Sequence, residues 1–229
     1  MAQYTISIII PVLNEAEIIQ PTLAKLLSHG DLEIIVVDGG SKDNTVSIAR
    51  SMGANTMTVS GGRSAQMNAG AKIAGGDILL FLHIDTKLPD RFMESIVETL
   101  QQPKVIAGAF ELAIEGEDRS LRWVEMLVKV RSHLLSLPYG DQAIFITKQT
   151  FIDLGGFRDL PIMEDFELIQ RLKRQGKIAI ASDKVITSGR RWQKLGVWRT
   201  TLINQLIIIG YHLGISLHKL NHFYRSRGK

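Results

Sequence analysis

Three runs of apolar residues, each followed by a stretch with helical character, constrain the fold of this chain most strongly. A strand that is buried on only one face alternates apolar and polar residues, whereas these runs are almost continuously apolar. We therefore predict a mostly parallel central sheet with helices on both faces, the α/β class. The runs are TISIIIPVL (5–13), LEIIVVD (32–38) and GGDILLFLH (75–83).

The pattern changes after residue 103, where strands and helices no longer alternate regularly. We predict strands over 105–114 and 143–147, and helices over 120–137 and 164–176. No internal repeat or linker interrupts the chain. We predict one α/β domain over residues 1–192 and a basic, helical C-terminal extension over 193–229.

The charge of the chain is unevenly distributed. The net charge is +4, but residues 184–229 contain nine Lys and Arg and no acidic residue, which leaves −5 for the preceding part. A basic terminus favours an anionic partner such as phosphates or a membrane surface. Nucleic acid is not expected, because the basic residues are not interleaved with aromatic ones.

The same terminus contains the apolar segment LINQLIIIGYHLGISL (202–217). As one helix it would rise about 24 Å, which is short of the ~30 Å hydrocarbon core. We expect it either to pack on the domain or on a second subunit of a homodimer, or to lie in a membrane interface.

The composition excludes some classes of protein. The chain has no cysteine, so disulfides and thiolate chemistry are ruled out. Its first residues lack the basic region and cleavage site of a secretory signal. We expect a cytoplasmic location, with the basic terminus available for the inner face of the cell membrane.

Polar residues follow the predicted strands at the points where those strands end. The carboxyl ends of strands in an open α/β sheet form the ligand site, so these residues should converge. A dinucleotide fold is excluded, because the first turn, PVLNEAE, has no glycine. The converging groups are Asn14 and Glu15, Asp38 with Gly39, Gly40 and Ser41, then Arg63, and finally His83 and Asp85.

His83 and Asp85 are separated by one residue, which on an extended chain places both on the same side. Carboxylates, glycines and an arginine at strand ends suit a nucleotide ligand. A carboxylate beside the diphosphate of such a ligand requires a cation, and Mg²⁺ or Mn²⁺ suits a site with few protein ligands. Histidine is tolerated better by Mn²⁺. The alternative for His83 is a strand-end side chain that is hydrogen-bonded to the backbone.

Four segments in order give the chain a family resemblance. It resembles the family 2 glycosyltransferases of GT-A fold over residues 5 to about 192, with His83 in the first position of the usual Asp-x-Asp metal motif. The segments are IIIPVLNEAE, IIVVDGGSKDNT, GGDILLFLHIDTKLP and GGFRDLPIMEDFEL. The resemblance implies a GT-A-type nucleotide-binding sandwich, a nucleotide-diphosphate sugar donor with UDP favoured, a divalent metal, and inversion at the anomeric carbon.

The resemblance also implies roles for individual residues. Asp165 would be the general base, with Glu164 beside it, although acids at a helix start also complement the helix dipole. Asp85 would bind the metal, and His83 would assist it or contact the diphosphate. The nucleotide would be bound by Pro11, Glu15, Asp38, Arg63 and His83.

Two further segments are candidates for the diphosphate or acceptor site. In SGRRW (188–192), Arg190 or Arg191 would clamp the diphosphate, unless this is a solvated basic loop. A processive enzyme is not expected, because Ser188 stands where such relatives have glutamine. Asp141 in YGDQ (139–142) would shape the site or belong to an ordinary turn.

Two other functions remain open at this stage. A non-catalytic nucleotide-sugar-binding protein would explain the altered metal motif. A sugar-phosphate nucleotidyltransferase would share the nucleotide-binding half, but such enzymes usually have a Gly-rich, basic first loop. The acceptor is not identified by the sequence, and a lipid-linked acceptor is compatible with the basic terminus.

Overall fold

A computed structural model describes residues 4–30 and 32–227 of the chain. It contains one eight-stranded sheet in the order β3-β2-β1-β4-β7-β6-β8-β5. The strands are β1 (Ile6–Val12), β2 (Glu33–Asp38), β3 (Asn55–Thr58), β4 (Ile78–Phe81), β5 (Thr86–Lys87), β6 (Val105–Ile114), β7 (Ile144–Thr147) and β8 (Lys177–Thr187).

Ten α-helices and a short 3₁₀ turn, Gly140–Gln142, connect and follow these strands within the described residues. The helices are α1 (Ala16–Leu27), α2 (Thr45–Ser51), α3 (Arg63–Ile73), α4 (Phe92–Leu100), α5 (Arg119–Leu135), α6 (Lys148–Asp153), α7 (Glu164–Leu172), α8 (Arg190–Leu195), α9 (Val197–His212) and α10 (Leu217–Arg227).

The mostly parallel sheet with helices on both faces is confirmed. Strands β3, β2, β1 and β4 are parallel to one another, while β7 runs antiparallel to both β4 and β6. Successive residues of one strand contribute to opposite cores: Ile8 and Ile10 belong to one cluster, and Ile9 belongs to the other. This alternation of buried faces is the physical reason for the continuous apolar runs.

The prediction that the strand reaches His83 and that the chain stays extended to Asp85 is wrong. Strand β4 ends at Phe81, and the two residues lie in a turn closed by the Thr86 N–H, which donates to the His83 carbonyl at 3.0 Å. Period-2 alternation therefore does not apply to them. Strand β8 was not predicted at all, and it pairs in parallel with β6.

The prediction of a single helix over 202–217 is also wrong. Helix α9 ends at His212, and Gly214 adopts a left-handed φ of +73° before α10 begins at Leu217. Glycine adopts this conformation without the steric cost that a side chain would add. The turn directs α10 back along α9, and the two helices contact each other.

The C-terminal helices pack against the rest of the fold. The ring of Phe166 in α7 meets the rings of Tyr211 and His212 at 5.2 Å and 5.7 Å between centroids. Helix α9 also contacts α5 and α8. Among the described residues, no helix combines the length and apolar character that crossing a bilayer requires. The division into a domain and an extension stays a prediction.

Candidate functional site

A cleft of about 1110 Å³ opens at the carboxyl end of the parallel half of the sheet. The ends of β1 and β4 form one wall, and helices α8, α9 and α10 contribute the opposite wall. It brings together ten of the eleven residues predicted for the site, all except Asp38. These are Pro11, Glu15, Arg63, His83, Asp85, Asp141, Glu164, Asp165, Arg190 and Arg191.

Asp38 does not belong to the described residues that line the cleft. Its carboxylate is 2% exposed and accepts hydrogen bonds from the backbone N–H groups of Gly40, at 2.9 Å, and Ser41, at 3.0 Å. The Ser41 hydroxyl donates to the same carboxylate. Asp38 therefore shapes the loop after β2, where its backbone pairs with Val12 of β1, and its role in nucleotide binding stays a prediction.

Gln66 in α3 lines the cleft and was not identified from the sequence. Its buried side-chain amide donates to the carbonyls of Val12, at 3.0 Å, and Val37, at 2.7 Å. These bonds tie together the ends of β1 and β2. The only signal for this role was a long polar side chain in an otherwise Ala-rich helix.

Arg190 connects two of the predicted carboxylates. Its Nη2 lies 3.6 Å from Asp85 Oδ2 and 3.9 Å from Glu15 Oε2. Burial raises the pKa of Glu15, and the Arg190 guanidinium opposes that rise. A cation placed between two carboxylates in an open cleft is suited to contact a diphosphate that enters beside them.

His83 and Glu164 are linked through Arg63. Arg63 Nη1 lies 3.3 Å from His83 Nε2, and Arg63 Nε lies 3.9 Å from Glu164 Oε1. Burial, assisted by the Arg63 charge, lowers the pKa of His83 well below 6.5. The imidazole is therefore neutral at physiological pH, the form in which a ring nitrogen accepts a hydrogen bond or binds a metal.

Asp165 lies at the first turn of α7, beside the 3₁₀ turn. Its Oδ2 accepts from the Gly140 N–H at 2.7 Å, and its Oδ1 accepts from the Phe166 N–H at 2.7 Å. A methyl group at Gly140 would lie 2.9 Å from His83 Nε2 and 3.1 Å from Asp165 Oδ2, so these side chains flank the same glycine.

Two further acids of the cleft, Glu164 and Asp141, have raised pKa values because they are buried. Burial, followed by the Asp165 charge, raises the pKa of Glu164, and Arg63 opposes the rise. Burial raises the pKa of Asp141 to about 6 against the opposing charge of Arg131. Asp141 Oδ1 is buried and has no hydrogen-bond partner among the described residues.

A divalent cation fits this site with one protein carboxylate. The described residues contain no group of three His, Asp or Glu side chains arranged around a common metal position. Mg²⁺ and Mn²⁺ with a nucleotide typically use one or two carboxylates plus phosphate oxygens, and Asp85 meets that requirement. His83 Nε2 is engaged by Arg63, so it would become a ligand only if Arg63 turned away.

Arg191 follows Arg190 in the chain but contacts a different part of the structure. Its guanidinium carbon lies 4.0 Å from the centre of the Tyr224 ring, on α10. Four α10 side chains line the cleft although the sequence had given no site role to this helix. They are His218, Asn221, Tyr224 and Arg225.

Comparison with known proteins places this site in a family context. Residues 7–158 match the model of the family described as glycosyl transferase family 2. A protein of Rickettsia felis described as an uncharacterized glycosyltransferase is 29% identical over 204 residues, which cover 80% of this chain and 34% of the relative. The PGL/p-HBAD biosynthesis glycosyltransferase of Mycobacterium tuberculosis is 37% identical over 97 residues, 38% of each chain.

Solved structures share the fold at low sequence identity. The mannosyltransferase PcManGT of Pyrobaculum calidifontis, in complex with GDP-Man and Mn²⁺, has a TM-score of 0.66 at 18% identity, covering 90% of this chain and 62% of that one. S. aureus TarS with UDP-GlcNAc has a TM-score of 0.61 at 19% identity, over 80% and 58%. The chain spans about a third of the length of the Rickettsia relatives it matches.

Proposed function

This chain belongs to glycosyl transferase family 2, and we propose on that basis that it moves a sugar from a nucleotide-diphosphate donor to an acceptor hydroxyl. One observation carries the proposal: the cleft holds an arginine between two carboxylates, Glu15 and Asp85, and a carboxylate at Asp165. We favour a UDP-sugar as donor, inversion at the anomeric carbon, and a single transfer per binding event. TarS with UDP-GlcNAc and PcManGT with GDP-Man support a nucleotide-sugar donor.

The proposed reaction needs a base at the acceptor and positive charge at the leaving group. The acceptor hydroxyl loses its proton to an Asp165 carboxylate oxygen, and each such oxygen retains a lone pair beyond its backbone hydrogen bond. The acceptor oxygen bonds to the anomeric carbon as the bond to the diphosphate oxygen breaks. The diphosphate leaves with that electron pair.

Arg190 would stabilise the charge that develops on the leaving diphosphate, because its guanidinium already lies between Glu15 and Asp85. A divalent cation, Mn²⁺ or Mg²⁺, held by Asp85 would supply further neutralisation there. The neutral His83 would assist by holding Arg63 beside Glu164 or by contacting the diphosphate. The walls of the cleft would limit competing attack by water.

Replacing Asp165 with asparagine tests the role of the base. We expect release of UDP from a screened panel of UDP-sugars and acceptors to fall by about 10²- to 10⁴-fold, the usual contribution of a general base. UDP affinity, measured by titration calorimetry with MnCl₂, should stay close to that of the wild type. Asp153→Asn, on α6 and outside the cleft lining, is the matched control and should alter neither quantity.

The same measurements separate the two alternative functions. A non-catalytic nucleotide-sugar-binding protein would bind UDP but release none from any sugar donor. A nucleotidyltransferase would instead release pyrophosphate from a nucleoside triphosphate and a sugar phosphate. Failure of the wild type to bind UDP, GDP or dTDP would refute the proposal as a whole.

We also propose that the α5–α9 apolar face, rather than the basic terminus alone, contacts a membrane surface. The two helices contact each other, and each carries large apolar side chains outward at helical spacing. The α5–α9 apolar face consists of Trp123, Met126, Leu127, Val130 and Leu134 on α5, with Trp198, Leu202, Leu206 and Ile209 on α9 and Leu213 directly after it. Exposed apolar side chains grouped on two contacting helices are typical of a membrane-binding or protein-binding surface, and the excess of basic residues nearby favours anionic lipid.

Cosedimentation with liposomes containing phosphatidylglycerol tests this contact. The double variant Leu134→Glu and Leu202→Glu should stay in the supernatant, while wild type and Ile73→Glu, an exposed apolar position on α3, should sediment. Recovery of wild type in the supernatant would refute the membrane proposal. Self-association that the double variant abolishes would show that a second subunit covers the face.

A further inference from the structure

The cleft wall formed by α8 and α10 carries buried hydrogen-bond donors with no acceptor. Nε and Nη2 of Arg191 and Nε1 of Trp192 have no hydrogen-bond partner among the residues that the structure describes. Buried donors are satisfied in the large majority of folded proteins, so three in adjacent residues require an explanation. Both residues line the cleft, where a ligand can supply the missing acceptors.

Helix α10 adds further donors to the same wall. His218, Asn221 and Arg225 recur at helical spacing and line the cleft together with Tyr224. No acidic residue follows Asp183 in the chain, so neither α8 nor α10 contains a carboxylate. We call the six residues the donor wall: Arg191, Trp192, His218, Asn221, Tyr224 and Arg225.

Two consecutive arginines in α8 serve different ends of the cleft. Arg190 is paired with Glu15 and Asp85, at the strand ends where the sugar donor is proposed to bind. Arg191 instead lies over Tyr224, 4.0 Å from its ring centre. Burial lowers the pKa of Arg191, because it disfavours the charged guanidinium. A bound anion would offset that unfavourable free energy.

We propose that the donor wall binds a phosphate monoester carried by the acceptor substrate, an inference that rests on the proposed glycosyl transfer. A carboxylate offers two accepting oxygens and a single negative charge, whereas a phosphate monoester offers three strongly accepting oxygens and a charge of about −1.5 to −2, which match guanidinium groups better. The phosphate would therefore be the better partner for two arginines that approach from separate helices.

Helix α7, which carries the proposed base, packs against the end of α9, and Asp165 lines the same cleft as the donor wall. Phe166 follows Asp165 directly, and its ring contacts Tyr211 and His212 at the end of α9, where the chain turns into α10. An acceptor anchored through its phosphate at the donor wall would thus present a hydroxyl towards Asp165. The sugar donor would approach from the opposite side, between Arg190 and the strand ends.

Calorimetric titration of the full chain, preloaded with saturating UDP and MnCl₂, tests the proposal. The probes are inorganic phosphate and the soluble lipid dihexanoyl phosphatidic acid, which distinguish a free phosphate from a lipid phosphate. We expect at least one probe to bind, and Arg191→Gln and Arg225→Gln each to weaken it roughly tenfold or more, as for loss of a charged hydrogen bond. Lys219→Gln, exposed on α10 outside the cleft lining, is the matched control and should bind normally.

The outcomes distinguish this inference from the proposed function. Tighter binding of the lipid probe would support the proposal with a lipid-linked acceptor, and tighter binding of inorganic phosphate would support it with a soluble one. The proposal is overturned if neither probe binds the UDP-loaded chain, or if Lys219→Gln weakens binding as much as Arg191→Gln does. UDP binding is measured in the same samples, so its loss in wild type would count against glycosyl transfer instead.

Discussion

Replacing Asp141 with asparagine should stabilise the fold at neutral pH. Burial raises the pKa of this carboxyl from its ordinary 3.8 to about 6, with Asp165 and Asp85 adding to the rise and Arg131 opposing it. Because the folded-state pKa is the higher one, the folded protein holds the proton more tightly. Its stability therefore falls as the pH rises from about 4 to about 6, and the full loss persists above that range.

The size of the effect follows from the same difference. Each pKa unit corresponds to about 1.36 kcal/mol, so the ionised carboxylate costs the fold about 3 kcal/mol at pH 8. Asparagine carries no charge to bury, and for a chain of this length 1 kcal/mol moves Tm by about 2–4 °C. Asp141→Asn should therefore raise Tm at pH 8 by about 6–12 °C and leave it nearly unchanged at pH 4.

Thermal unfolding between pH 4 and pH 8, in buffer with EDTA, measures this prediction. EDTA is needed because a bound cation would change the electrostatics of the cleft. The control Asp90→Asn changes a carboxylate whose side chain is 89% exposed, and its Tm should follow the wild type. An Asp141→Asn variant whose Tm keeps the pH dependence of the wild type would refute the reasoning, since another group would then be titrating.

Three further changes have distinct expected results. Gln66→Met removes the side-chain donor from the carbonyls of Val37 and Val12, of which Val12 keeps the Gly39 N–H, and urea unfolding should show a loss of about 1–2 kcal/mol in the free energy of unfolding. Gly140→Ala forces a methyl group against His83 Nε2 and Asp165 Oδ2, and should lower sugar transfer at least about tenfold in a UDP-release assay. Arg190→Gln should weaken UDP binding by about tenfold in calorimetry, with Tm little changed.

Each of these changes has its own contradicting result. Unchanged stability of Gln66→Met would mean that water replaces the amide at both carbonyls. Normal transfer by Gly140→Ala would show that neighbouring side chains shift freely there. For Arg190→Gln, the control is Arg199→Gln on the exposed side of α9, and equal UDP affinity in both variants would remove Arg190 from the proposed diphosphate site.

The parallel half of the fold was predictable because its strands are buried on both faces. Burial on both faces requires a continuous run of apolar residues, and such runs form β1, β2 and β4. The antiparallel half was less predictable. Strand β8 carries exposed polar residues, including Lys184, and its pairing with β6 is irregular between Phe110 and Glu111.

Ten residues predicted from the sequence line the cleft, and their roles stay predictions. Their individual geometry was not predictable. Position after a strand identified Glu15, Arg63, His83 and Asp85, since strand ends in such sheets share one edge. The same rule selected Asp38, which the structure turns inward to hold its own loop. A strand-end position gives the location of a side chain, and competing backbone donors decide its direction.

The sequence by itself determined the class of the sheet, the family, and the edge of the sheet at which polar side chains gather, because each depends on short segments that are recognisable without the rest of the chain. Only the tertiary structure decided that Arg190 faces Asp85 while Arg191 faces Tyr224, and that α10 turns back at Gly214 to complete the cleft. These features depend on contacts between residues far apart in the chain. The direction of a side chain is set by whichever distant partner satisfies its charge or its hydrogen bonds, and local periodicity contains no record of that partner.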